Sequence, residues 1–363
     1  MIDPADRLGR RLKAAIVIRG VGQGRPNRED SPMQWPTICF RARLLAALLG
    51  AVLLASATVT ADEREKPPET TDYRKPKNDD DLRYWLENMI WHHRYSTEEV
   101  VAATGLSAAE VTAAAKRFDI THKNRPKREA DAPLKVLPYP GGRHPRIGFL
   151  DGAVRPQREA KVSVFTPWNE DDYVVVDVPE AIWHQHGLLY LAHTHVPTVW
   201  SKQKIELEPL EWNRRRDGIL DVERKLPNGV VFAAKIVPGK DGVRMKLTLT
   251  NGSREKLTDL RVQNCVMLKM AQGFTAQTND NKIFAKPYVA CRSADGKRYV
   301  ITAWEPCHRA WANPPCPCLH SDPKFHDCEP GKTETLRGWL SFYEGDDVKV
   351  EFRRLDTIGW QKE

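Results

Sequence analysis

No part of this 363-residue chain offers the roughly 20 uninterrupted apolar residues that a membrane-crossing helix needs. The nearest approach, residues 44–61, is broken by Gly50, Ser56, Thr58 and Thr60. No cysteine stands at the end of that run, which argues against a lipid-anchored N-terminus. The paired CxxC…CxxC spacing of a familiar zinc module is also missing, although seven cysteines are present. A concentrated basic face is missing too, despite a formal net charge of +8. The first 61 residues hold nine Lys/Arg and four Asp/Glu of the chain's 56 and 48, so the remainder carries 47 and 44, a net charge of +3. Binding driven by phosphate neutralisation needs more than that, so nucleic acid is not an expected partner.

The apolar run has the plan of a secretory signal. Arg41 and Arg43 precede it, and Val59 and Ala61 occupy the two small-residue positions before a cut at Asp62. Residues 33–61 are therefore expected to be a signal peptide, and residues 1–32 an over-long start preceding Met33. The mature protein is expected in the periplasm or outside the cell, with no stable membrane insertion. Residues 62–78 are charged and proline-containing, and read as a flexible leader.

Residues 79–122 read as a small helical module. Leu82, Trp85, Leu86, Met89 and Ile90 recur at the spacing of one helix face. Ser96 with Glu99 and Ser107 with Glu110 form two capping boxes, with Gly105 between them at a helix-closing position. The segment resembles a helix-turn-helix. Its second helix is mostly alanine and offers few side chains to read bases, so packing or docking of a protein partner is its plainer role. Residues 123–140 read as a linker.

From residue 141 to 358 the pattern is of strands. "KVSVFTPW", "DYVVVDVP", "GVVFAAKIVPGKDGVRMKLTLTNGS", "KLTDLRVQNCVML", "KRYVITAWE" and "VKVEFRRL" are β-branched runs between Gly, Pro, Asn and Asp turns. The expected class is mainly β, a β-sandwich preceded by the helical module. Within it, residues 247–253 and 257–260 carry an "LTLTNGS…LTDL" pattern that resembles the middle of a galactose-mutarotase-like supersandwich. That resemblance implies carbohydrate as ligand class, in lyases, epimerases, hydrolase accessory domains or plain sugar binders. Mutarotases proper follow this strand with a catalytic histidine. Asn264 and Cys265 stand there in this chain, which argues against aldose 1-epimerase activity itself. The whole chain is also similar to exported bacterial proteins in which a short helical module precedes such a sandwich.

Two clusters carry chemistry-bearing residues. In "WHQHGLLYLAHTHVPTVW", His184 and His186, and again His193 and His195, are two apart, which on a strand places each pair on one face. All four are candidate metal ligands, and His193 and His195 are also candidate acid-base groups. The bland alternative is a polar strand face. The second cluster is "CHRAWANPPCPCLHSDPKFHDC". Cys39 lies in the signal, leaving Cys265, Cys291, Cys307, Cys316, Cys318 and Cys328. An even number in an oxidising compartment points to three disulfides, of unspecified pairing, rather than to a metal. Glu305, His320 and Asp322 are then the acid-base candidates for a lyase or epimerase, and Glu305 with Asp322 for a glycosidase. Trp200, Trp304 and Trp311 are candidate platforms for sugar rings, against the ordinary role of tryptophan in a core. No cofactor is specified. The competing readings are a noncatalytic extracellular interaction protein with a disulfide-pinned loop, and a histidine-ligated metalloprotein.

Overall fold

A computed structural model describes residues 73–147, 158–192 and 196–362. The expected signal, most of the expected leader, and His193 and His195 lie outside them.

The chain enters through three helices. α1 (Asp79–Leu86) starts at Asn78, whose side chain accepts from the Asp81 N–H, and three aspartates in its first turn suit the positive end of the helix dipole. It runs on as a π-helical turn through His92. α2 (Thr97–Thr104) and α3 (Ala108–Arg117) begin at Ser96 and Ser107. Both capping boxes are fully formed, and Gly105 closes α2 at φ +69°. Trp85, Leu86, Met89, Val100, Val111 and Ile120 make the module's own small core.

Fifteen strands follow among the described residues: β1 (Val136–Pro138), β2 (Lys161–Phe165), β3 (Tyr173–His184), β4 (Gly187–Leu191), β5 (Asn213–Arg214), β6 (Leu220–Lys225), β7 (Val231–Pro238) and β8 (Val243–Thr250), then β9 (Val262–Met267), β10 (Lys282–Ala285), β11 (Tyr288–Arg292), β12 (Arg298–Glu305), β13 (Cys307–Trp311), β14 (Cys318–Pro323) and β15 (Thr333–Glu344). They form two antiparallel sheets. The first runs β1-β2-β3-β9-β14-β13, with β4 also on β3; the second runs β10-β11-β12-β15-β8-β7-β6-β5. The expected sandwich is what the chain forms. β1 falls inside the stretch read as linker.

The inner faces make the main core, where Val162, Val164, Val174 and Val176 of the first sheet meet Phe232, Ile236, Leu247 and Leu249 of the second. In the "LTLTNGS" stretch, Asn251 is fully buried and its side-chain amide donates to the Cys328 and Glu255 carbonyls, tying two loops to the end of β8.

One element departs from expectation. "VKVEFRRL", read as a strand, is a helix, α5 (Val348–Ile358), the short helix α4 (Val199–Lys202) having come between β4 and β5. Its apparent alternation also satisfies the helical period: Val348, Glu351, Phe352 and Leu355 are buried at offsets of three, four and seven, Asp347 caps the start and Gly359 closes the end at φ +61°. Phe352 stacks on Tyr288 at 4.7 Å, so α5 covers the outer face of the second sheet.

The outer face of the first sheet is covered on one side by the helical module. His93 closes the π turn and accepts from Ser163 of β2 across 2.7 Å, while its other nitrogen donates to the Asn88 carbonyl. Arg143 grips Glu99 of α2 with two hydrogen bonds and reaches the Tyr173 hydroxyl of β3. The rest of that face carries the polar residues described next.

Candidate functional site

Because side chains alternate along a strand, residues on neighbouring strands that share a face line up in rows. In the first sheet Lys161 pairs with Asp177, and Asp177 with Cys265. Cys318 pairs with Met267 and Leu319 with Val266; that register carries His320 opposite Cys265, and His320 pairs with Trp311. A row of Lys161, Asp177, Cys265, His320 and Trp311 thus crosses the outer face from β2 to β13. Cys318 and Asp322 flank His320 on its own strand.

The sulfur of Cys318 lies 3.2 Å from Nε2 of His320. The other ring nitrogen faces Asp322 at 3.7 Å. Asp322 is fixed by Arg309 at 2.9 Å, by the indole N–H of Trp311 at 2.5 Å and by the backbone N–H of Asn264 at 3.2 Å. The Trp311 ring stacks on His320 at 4.1 Å. Burial opposes a charge on His320, but Asp322 and Cys318 overcome it and hold the imidazolium up to about 10. Hydrogen bonds from Cys265 and Cys316 push the Cys318 thiol well down, with His320 adding to the effect, while burial and Cys318 raise Cys265.

The His320–Trp311 end of this row meets a cleft of about 240 Å³ lined by Arg146, Glu180, Trp183, Gln263, Trp311 and Asn313, with Cys318 and His320 at its base. Glu180 accepts from Arg146 and, at 2.8 Å, from Gln263. Arg146 also lies 3.7 Å from Asp177.

The sequence-level candidates divide accordingly. His320 and Trp311 line the cleft, and Asp322 stands directly behind them. Glu305 ends β12 as an exposed residue outside the cleft lining, its carboxyl raised by partial burial. Trp200 and Trp304 are core residues, not sugar platforms: Trp200 donates to the Leu189 carbonyl, and Trp304 is 1% exposed with its ring over Gly338. A Cβ added at Gly338 would meet that ring at 2.5 Å. Gly338→Ala is therefore expected to lose about 1–3 kcal/mol of stability in urea titrations, and an unchanged midpoint would refute this packing.

His184 and His186 stand together at the β3–β4 turn with ring centroids 5.2 Å apart, and His186 reaches Glu255 at 3.2 Å. Burial, with His186 beside it, lowers His184. Neither lines the cleft.

The three expected disulfides are not formed. All six cysteines are free thiols. Cys265, Cys316 and Cys318 gather under the cleft, whereas Cys291 and Cys328 are buried in the main core and Cys307 sits beside Ser321. Arg146, Glu180 and Gln263 were not singled out from the sequence. Arg146 sits in a stretch that reads as a loop, and Glu180 follows the cis bond Val178–Pro179 at a bulge in β3.

No family model matches the chain, and no curated protein gives a significant match. Among solved structures it is similar to the Slr1438 protein of Synechocystis sp. PCC 6803, at 10% identity and a TM-score of 0.32, over 59% of this chain and 92% of that one. It is similar to a putative kojibiose phosphorylase from the human microbiome at 8% identity and a TM-score of 0.33, over 65% of this chain and 36% of that one. A heparan sulfate lyase HepC mutant from Pedobacter heparinus aligns at 11% identity and a TM-score of 0.33, over 76% of this chain and 45% of that one. The chain thus spans less than half of the two carbohydrate enzymes. At this level of likeness the chemistry has to be read from the residues of this chain.

Proposed function

We propose that the protein is an exported carbohydrate-binding or carbohydrate-active protein of the mutarotase-like sandwich type, and that its ligand occupies the cleft over β3, β9 and β14. The observation that carries the reading is the lining itself: the indoles of Trp183 and Trp311 beside planar hydrogen-bonding groups, Arg146, Glu180, Gln263 and Asn313. Sugar rings present apolar C–H faces and equatorial hydroxyls, and such a lining meets both. Glu180, held by Arg146 and Gln263, is placed to accept from a sugar hydroxyl or to act as base on a C–H proton, the step that lyases and epimerases share. His320 stacks on Trp311 and stands beside Asp322, so it positions the indole and the carboxylate at the base of the cleft.

The test is calorimetric titration of the purified mature protein with neutral and acidic oligosaccharides. At least one is expected to bind, and Trp311→Ala and Glu180→Gln are each expected to weaken it at least ~10-fold, about 1.4 kcal/mol, in variants whose circular dichroism shows them folded at the titration temperature. Retained affinity in both variants would place the ligand elsewhere, and silence across the panel would remove carbohydrate as the ligand class. The mass of the protein recovered from an exporting host checks the other half of the proposal, an N-terminus at Asp62.

A further inference from the structure

Beneath the cleft lies a set of donors that sugar binding does not use. One ligand atom each from Cys265, Cys318 and His320 fall within 4.8 Å of one another, and all three residues are buried. Four donors around a zinc ion at Zn–S of ~2.3 Å stand about 3.8 Å apart, so small shifts of side chains seat an ion among these three. The donors come from two adjacent hydrogen-bonded strands, which fix their spacing better than a loop does.

A second, independent feature points the same way. His320 is 2% exposed, and its Nδ1 has no hydrogen-bond partner. That nitrogen faces Asp322 at 3.7 Å, while Nε2 faces the Cys318 sulfur. A histidine with one nitrogen toward the donor cluster and the other toward a carboxylate is the arrangement that orients imidazole ligands at metal sites. Three fixtures hold the carboxylate, and Trp311 holds the ring plane by stacking.

We propose that Cys265, Cys318 and His320 bind one thiophilic divalent transition ion, with zinc as the occupant suited to two thiolates and an imidazole. Cys318 and His320 line the cleft, so the fourth coordination position opens toward the ligand cavity. Cys316, whose thiol hydrogen-bonds to Cys318, stands outside the set as a neighbour that orients the Cys318 sulfur. On binding, Cys265 and the Cys318–His320 pair together release two protons to solvent, so that both sulfurs ligate as thiolates and Nε2 of His320 as a neutral donor, and both S–metal bonds form without change of oxidation state. The site is independent of which ligand fills the cleft.

The experiment is elemental analysis of the full chain, expressed with zinc in the medium and purified under reducing conditions, together with Cys318→Ser, His320→Ala and Cys316→Ser. One zinc per chain is expected in the wild type and in Cys316→Ser, with a fall of at least ~10-fold in the other two. Because these residues are buried in the sheet and a substitution can unfold it, cobalt titration of the metal-stripped wild type is the second readout. Thiolate-to-cobalt charge transfer with intense tetrahedral d–d bands is expected at one equivalent. Absence of those bands, or a metal-free wild type lighter by the two hydrogens of a Cys265–Cys318 disulfide, overturns the proposal. Loss of zinc from Cys316→Ser overturns the three-donor assignment and the open position with it.

Discussion

Lowering the pH from about 7 to about 4 is expected to cost the folded protein about 3 kcal/mol through His93 alone. His93 is buried among Tyr95, Tyr139, Phe165 and Tyr173, with the Tyr173 ring centroid 4.7 Å away. Burial pushes its imidazole down to about 3, and the nearby Arg143 guanidinium works in the same direction. The unfolded chain takes up this proton below about 6.5, and the folded chain takes it up only near 3. Between those values the unfolded state binds more protons, so stability is full above the upper value and falls as the pH drops through the window. His92 is lowered likewise to about 3 by burial and Lys135, and adds to the slope. Since His93 bridges the Asn88 carbonyl and Ser163, acid should loosen the join between the helical module and β2 first. Urea titrations of wild type and His93→Gln across this range check it. The difference between the two stabilities is expected to narrow as the pH falls. Parallel pH profiles would show that His93 is not the responsible group.

Lys161→Met is expected to cost about 3–5 kcal/mol, as does the removal of one partner from other buried ion pairs. Lys161 and Asp177 are fully buried, stand opposite each other in the β2–β3 register, and approach to 3.3 Å. Lys161 also donates to the Ala192 carbonyl at 3.3 Å. The methionine keeps the length of the stem and removes the charge, while Asp177 keeps Arg146 at 3.7 Å as its remaining cation. The double substitution Lys161→Met/Asp177→Leu is expected to recover much of the loss, because an apolar pair on this face carries no desolvation penalty. A loss below about 1 kcal/mol in the single variant would show that Arg146 alone suffices for the carboxylate.

Much of the architecture is local and therefore legible in the sequence. Ser96, Gly105 and Ser107 specify where α2 and α3 begin and end, because capping involves groups within four residues of each other. The strand runs of β2, β3, β7, β8, β9 and β12 show their period directly. The start of β3, residues 173–176, reads as an unbroken apolar stretch because both of its faces are covered, by the second sheet on one side and by the layer around Tyr139, Phe165 and Cys265 on the other. α5 failed as a reading because Val348 and Phe352 fit both periods, while Val350, which completes the strand-like alternation, is exposed on the helix. Its cap residues, Asp347 and Gly359, were the local signal that separates them.

The site is another matter. His320, Asp322 and Trp311 are close in sequence and were legible as a cluster. What they act with was not: Cys265, Asp177 and Lys161 join them only through strand pairing, and Arg146, Glu180 and Gln263 only through the packing of a loop and a bulge against that face. Counting cysteines predicted three bridges. Strand register instead brings Cys265 and Cys318 to one histidine, with Cys316 beside Cys318, and leaves the other three apart. The sequence by itself determined the helix caps, the strand periods and the sandwich class, since each depends on residues a few positions apart. Only the tertiary structure decided which side chains share the cleft, because sheet register brings together groups that the chain keeps far apart.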